Sequence, residues 1–182
     1  MRRVILNHLS KTSKLYGILS WSLQAVETCP GSIGEDGNLV EACSGCYATT
    51  GCYNFRGTKA VRSDNKEAWQ EDGWVDEMVN SLKKQRFFRW FDSGDMYFIS
   101  LARKILELME KTPHVQHWLP TRMGKFAKFR DVIAEMDSLE NVKVRFSSDS
   151  VTGGFIPGVH GSTISENTED KYGLFICRAY EK

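Results

Sequence analysis

From Asn65 onward the apolar positions fall into two alternating rhythms. Trp74, Val75, Met78, Val79 and Leu82 recur at helical spacing and predict an amphipathic helix ending near Lys83-Lys84. Phe87-Phe88-Arg89-Trp90-Phe91 is an aromatic run suited to a buried strand, and it leads into the turn Asp92-Ser93-Gly94-Asp95. A second helix carries Phe98, Leu101, Ala102, Ile105 and Met109 on its apolar face and stops at Thr112-Pro113. His114 to Leu119 reads as a second strand closed by Pro120. Phe126, Phe129, Ile133 and Met136 mark the next helix, and Val142 to Phe146 forms a third strand.

Strands and helices alternating over such short connections imply parallel strands joined by crossovers, so the fold class is α/β, built of parallel βα units. Ligands of such sheets bind at the carboxyl ends of the strands. Here each strand ends in a polar group: Asp92-Ser93-Gly94-Asp95, then Pro120-Thr121-Arg122, then Ser147-Ser148-Asp149-Ser150. Polar loops on one rim predict a pocket.

The flanks differ from this core. Residues 1–64 lack clean periodicity, are rich in turn formers and contain four of the five cysteines. After Val151 the chain is glycine-rich and polar, reading as loop with a candidate short strand at Tyr172 to Ile176. The expected organisation is one domain over residues 1–182: a cysteine-rich metal-binding segment (1–64), a βα core (65–150) and a loop-rich tail (151–182).

Composition narrows the class. With 41% hydrophobic and 26% charged residues and no apolar run long enough for a bilayer or a secretory signal, a cytoplasmic protein with no membrane partner is expected. A net charge of +1 gives no strong nucleic-acid signal. The odd cysteine count and the clustering of Cys29, Cys43, Cys46 and Cys52 favour metal binding over disulfides.

The cysteine spacing is Cys29-x13-Cys43-x2-Cys46-x5-Cys52. A C-x2-C pair lets two thiolates converge from a tight turn, and Gly45 supplies backbone freedom there. Structural zinc favours four ligands as two separated pairs, which this spacing does not provide. An iron–sulfur cluster accepts irregular spacing, and three thiolates leave one iron open. Zinc and separate buried cysteines remain alternatives, with Cys52 either a fourth ligand or a bystander.

Several other residues carry two readings. Asp92 and Asp95 are either functional carboxylates or helix caps. Arg122 either clamps a carboxylate or phosphate or pairs with a rim aspartate. Arg145 lines the pocket or lies on a solvated face. His114 and His117 point to opposite faces of their strand and do not share a metal. Trp90 and Trp118 read as core more than as stacking platforms.

Cys43-Ser44-Gly45-Cys46-Tyr47-Ala48 ahead of a parallel α/β unit resembles the cluster loop of radical S-adenosylmethionine enzymes, although those space their cysteines C-x3-C-x2-C. Ser93-Gly94-Asp95 is similar to the glycine-glycine-glutamate segment that holds the methionine amino group in that superfamily. More closely, the string Trp21-Ser22-Leu23, Cys29-Pro30-Gly31, Cys46-Tyr47-Ala48, Trp90 to Asp95, Trp118 to Arg122 and Val144 to Ser147 resembles the bacteriophage gene product 88-like proteins. Members of that group continue past the position of Cys177 with further cysteines suited to a second metal site. This chain stops at Lys182, so a shortened or truncated form is expected.

These resemblances imply a partial (β/α) barrel and a 4Fe–4S cluster on Cys29, Cys43 and Cys46, with Cys52 outside the ligand set. They also imply S-adenosylmethionine held by Tyr47, Asp92, Ser93, Gly94, Asp95, Ser147 and Ser148. Asp95 and Arg122 would be the catalytic residues. The expected function is a phage-encoded radical S-adenosylmethionine-like enzyme in the host cytoplasm, with an unknown substrate and an electron donor as partner. The alternative is a non-catalytic iron–sulfur or zinc protein that binds a host protein or nucleic acid.

Overall fold

A computed structural model describes residues 7–12, 16–165 and 175–176. The backbone forms a mixed α/β structure with one six-stranded sheet: β1 (Ser10–Thr12), β2 (Ile18–Trp21), β3 (Phe87–Trp90), β4 (Gln116–Thr121), β5 (Val142–Ser147) and β6 (Gly161–Ser162). Strand order follows the chain, β1 to β6. Only the β1–β2 pair is antiparallel. The helices are α1 (Glu41–Ser44), α2 (Arg56–Ala68), α3 (Trp74–Leu82), α4 (Ile99–Lys111) and α5 (Ala127–Asp137).

Alternation along the strands explains the core. Phe88 and Trp90 on β3, His117 and Leu119 on β4, and Val142 and Val144 on β5 are buried on one face. Against them lie Trp74, Met78 and Leu82 of α3, Leu101, Ile105, Leu108 and Met109 of α4, and Phe129, Val132, Ile133 and Met136 of α5. Consecutive helices touch, α3 on α4 and α4 on α5. Trp21 meets Trp74, Trp90 and Phe91 edge-on, with centroid distances of 5.3, 6.1 and 5.9 Å. Each such ring removes about 150–250 Å² from water, worth at most about 4–6 kcal/mol by area.

The opposite face is polar. One register row across it reads Ser20, Arg89, Trp118 and Lys143. The Arg89 guanidinium stacks on Trp118 at 5.0 Å from the ring centroid.

The α3, β3, α4, α5 and β5 expectations agree with the structure to within a few residues. Pro120 does not close β4 but lies inside it, beyond the last β3–β4 pair at Arg89 and Trp118. There the strand has a neighbour on one side only, so a residue without an N–H is tolerated. The described residues before Asn65 carry more regular structure than their turn formers imply, containing β1, β2, α1 and the first part of α2. The periodic signal fails in α2 because its buried positions are Arg62, Asn65 and Ala68. Asn65 makes up for its polarity by bonding the backbone of His8 and the carbonyl of Ser22. Phe98 is exposed at the cap of α4 and is not part of its apolar face. The strand suggested at Tyr172 to Ile176 and the position of Cys177 lie outside the described residues, except for Phe175 and Ile176, which carry no strand.

No helix among the described residues is long and apolar enough to cross a membrane.

Candidate functional site

The cysteine-bearing segment between β2 and α2 passes over the carboxyl ends of the parallel strands. Above β4, Gly31 presses on Arg122: a Cβ there would lie 2.5 Å from the Arg122 Cβ. Above β5, the Ala42 amide donates to the Asp149 carbonyl at 3.0 Å. Above β3, the Tyr47 hydroxyl donates to the Asp92 carbonyl at 2.6 Å and the Tyr53 hydroxyl to Asp92 Oδ2 at 2.6 Å. Glycine, short polar contacts and aromatic hydroxyls thus fix one irregular segment to three strand ends.

This path gathers three thiols. Cys29 is close enough to Asp95, Cys43 and Cys46 that their negative charges add to burial in pushing its thiol up to about 12. Burial also raises the Cys43 thiol, which feels Arg122, Cys46, Asp149 and Lys125. Cys52 is exposed on the next turn, and its charge acts on Arg62 of α2. Among the described residues, no group of three or more His, Cys, Asp or Glu side chains is drawn together as a single bound ion requires. The approach to Cys29 is strained: Val26, a β-branched residue, holds φ at 66°, at a cost of order 1–3 kcal/mol.

Asp95 is buried behind this loop. Its Oδ1 accepts from the Thr121 hydroxyl at 2.8 Å and the Met96 amide at 2.8 Å, and its Oδ2 from the Arg122 amide at 2.9 Å. Burial pushes its carboxyl up to about 6, while those donors pull it down. The Asp95 amide in turn donates to the Thr28 carbonyl, one residue before Cys29. Gly94, at φ 81°, allows the turn: a Cβ there would meet Leu23 Cβ at 2.6 Å and Thr28 Oγ1 at 2.7 Å. Ser93 locks the same turn to the chain just after β2, donating its hydroxyl to the Leu23 carbonyl at 2.6 Å.

Asp92 is a second hub. It pairs with Arg89 at 2.9 Å, accepts from Tyr53, and donates its amide to the Ser22 hydroxyl at 3.0 Å. Helix capping, one of its two expected roles, does not occur for either aspartate, because α4 begins at Ile99 with Phe98 as its cap residue. Arg122 Nη1 donates to the carbonyls of Ser147 (3.3 Å) and Ser148 (2.6 Å) and pairs with Asp149 at 2.6 Å; Lys125 joins the same carboxylate at 2.7 Å. This is the rim ion pair among its expected roles. The Ser148 hydroxyl donates to the Gly154 carbonyl, within its own loop.

The rim therefore brings together Cys29, Cys43, Cys46, Tyr47, Asp92, Ser93, Gly94, Asp95, Arg122, Ser147 and Ser148. It also recruits Thr121 and Asp149, which the sequence marks only as members of polar strand-end groups, and Tyr53, Arg89 and Lys125, which it does not mark as site residues. Their only signal there is position within or just after a strand end, and Tyr53 has not even that.

Fold and rim define an α/β protein whose thiol-bearing loop covers the carboxyl end of a mostly parallel sheet. The family model described as Gene product 88 matches residues 5–172, and the chain belongs to that family. No curated protein and no solved structure matches it. None of these comparisons supports the resemblance to radical S-adenosylmethionine enzymes.

Proposed function

We propose that Cys29, Cys43 and Cys46 hold an iron–sulfur cluster at the carboxyl rim, and that the protein is a radical S-adenosylmethionine-like enzyme of the phage-infected cytoplasm. The observation that carries this reading is that Cys29 lies near enough to Cys43 and Cys46 at the rim for their charges to act on it, while Cys52 is exposed on the next turn. The donor set fits a cluster better than zinc. Structural zinc favours four ligands in two separated pairs, which the spacing of these cysteines does not provide. A polynuclear cluster places each thiolate on a different iron and accepts a wider triangle, with one iron left open by a three-cysteine set.

The sequential, mostly parallel strand order with helices packed along one face is consistent with a partial (β/α) barrel. In such a barrel the polar face carrying Arg89 and Trp118 would look inward toward a substrate. A bound cluster with S-adenosylmethionine would supply one-electron cleavage of the sulfonium. The chain's own contribution is positioning. Gly94 brings backbone close to the thiol loop, and Asp95 Oδ2, with one amide donor, keeps acceptor capacity for an ammonium.

One observation favours a non-catalytic alternative. Asp95 and Arg122 are both engaged by protein partners, as they would be in an iron–sulfur or zinc protein that binds a host protein or nucleic acid.

Anaerobic purification tests both. Brown protein containing iron and acid-labile sulfide is expected, with Cys29→Ala, Cys43→Ala and Cys46→Ala each losing it and Cys52→Ala retaining it. A colourless protein with one zinc per chain would overturn the cluster. Given iron, release of 5′-deoxyadenosine from S-adenosylmethionine under reduction supports the enzyme; no binding of the cofactor leaves the non-catalytic reading.

A further inference from the structure

The sheet sorts its charges by sign. The chain as a whole balances 24 basic against 23 acidic side chains, yet none of the six strands contains an aspartate or glutamate, and their four charged residues, Lys11, Arg89, Lys143 and Arg145, are all basic. Three of the four stand on the polar face. Arg89 and Lys143 share a register row with Trp118, and Arg145 follows Lys143 two residues on, beside Pro120. The helices α3, α4 and α5 bury their apolar sides against the other face and leave this one uncovered.

Its groups are prepared for contact in different ways. Arg89 gives its charge to Asp92 at 2.9 Å and its plane to the Trp118 ring at 5.0 Å, so it holds the indole in place. Trp118 is the one tryptophan of five that stays partly exposed; Trp21, Trp69, Trp74 and Trp90 are each at most 5% exposed. Lys143 is exposed, and neither it nor Arg145 has a hydrogen bond or ion pair among the described residues. Of the Arg145 nitrogens Nε is buried, so the terminal amino groups are the ones that meet solvent. A held indole beside two unpaired cations, with no acid in the strands around it, is complementary to a chain that combines negative charge with flat rings.

We propose that this face binds single-stranded nucleic acid. An acidic peptide would meet the cations but offers no ring to the indole, and a duplex keeps its base faces stacked out of reach. Ser147, two residues beyond Arg145 on β5, reaches the rim, where its carbonyl accepts from Arg122. A strand lying across the face therefore runs up to the thiol loop. This rests on the reading that the polar face looks toward a substrate, and it gives that substrate a class. The near-neutral total hides the signal in the sequence, because the balancing acids lie in helices and loops.

Full-length protein titrated with oligothymidylate and oligouridylate of about 12 nucleotides should show saturable quenching of tryptophan fluorescence, which only Trp118 is exposed enough to give by stacking. Binding followed by the anisotropy of a labelled strand should weaken at least fivefold in Trp118→Leu with its salt dependence intact. Lys143→Gln and Arg145→Gln should each take about 0.7 off the steepness of log K against log salt. Lys143 is exposed, so its variant reads binding without disturbing the core. Absence of saturable quenching, a salt slope unchanged in both charge variants, or equally tight binding of poly-glutamate or of a duplex overturns the assignment. Iron is assayed on the same preparations. Protein that holds iron and binds no strand overturns this inference alone, and colourless protein that binds the strand overturns the cluster alone.

Discussion

At the scale of single residues, several buried polar groups in this protein, Asn65, Asp95 and Asn141 among them, are held by sets of hydrogen bonds. The most consequential is His117, buried on the core face of β4. The Trp90 indole N–H donates to its Nδ1 at 3.3 Å, which places the ring proton on Nε2, 2.9 Å from the Thr112 hydroxyl; that hydroxyl donates to the Leu108 carbonyl at 2.7 Å. A second ring proton would leave the Trp90 N–H facing a donor in a desolvated site. Burial, with the neighbouring His114, accordingly depresses the His117 pKa from 6.5 to about 4. Because the folded value lies below the unfolded one, this contribution to stability is complete above about pH 6.5 and declines as pH falls toward 4. Urea unfolding should show a loss of about 2 kcal/mol between pH 7.5 and pH 5 from this group. His117→Gln should flatten the profile by that amount, and an unchanged slope in the variant would refute the assignment. The sequence shows a histidine within a strand; it does not show that Trp90 and Thr112 occupy both ring nitrogens, because those contacts cross from β3 and from the end of α4.

At the scale of elements, the connections between strands and helices decide how closely the loops can approach one another. Gly94 links β3 to the thiol loop through its positive φ and its contact with Leu23 and Thr28. Gly94→Ala should cost more than about 2 kcal/mol, since the backbone penalty of roughly 1 kcal/mol is joined by two contacts under 3.0 Å. Gly57, inside α2, is the contrast, because a Cβ added there would meet no atom within 4 Å. Gly57→Ala should stabilise by about 0.4–1 kcal/mol. Chemical denaturation of the two variants checks both signs, and similar losses in both would show that helix and turn are not as described. The same contrast explains what the sequence reveals. Elements that bury apolar side chains at regular spacing, such as α4 with Leu101, Ile105 and Met109, are legible in it. Those that bury polar ones, such as α2 with Arg62 and Asn65, are not, because the bonds that make such burial tolerable come from residues far away in the chain. The polar strand ends are legible for the opposite reason: a rim of loops follows from topology once parallel strands are recognised. Which rim groups are tied to one another, as Arg122 is to Asp149, depends on loop paths that spacing does not specify.

At the scale of the whole molecule, the sheet and its helices form a core that does not need the thiol segment for its packing. Most of the largest buried side chains, among them Trp74, Trp90, Phe129 and Ile105, come from α3, α4, α5 and the strands, with Leu23 and Met96 added from the connections. From Cys29 to Asn54 the segment over the rim adds only Ala48 and the small Ser32 to the buried side chains, Leu23 and Ala25 being buried where it leaves β2, and it is joined to the sheet mainly by hydrogen bonds and the Gly31 contact. Polar ties of this kind are worth about 0.5–1.5 kcal/mol each, and a segment so held opens locally before the core does. A cluster ligated by Cys29, Cys43 and Cys46 would close two successive loops of this segment and stabilise it by linkage. Removing iron with a chelator under anaerobic conditions should therefore expose the chain between Cys29 and Asn54 to limited proteolysis. Far-ultraviolet circular dichroism should change little, and the fragment containing β3 to β5 should stay intact. Cleavage spread evenly over the sheet on iron removal would mean that the metal supports the whole fold. Equal resistance with and without iron would mean that the three thiols do not anchor the segment to a cluster at all.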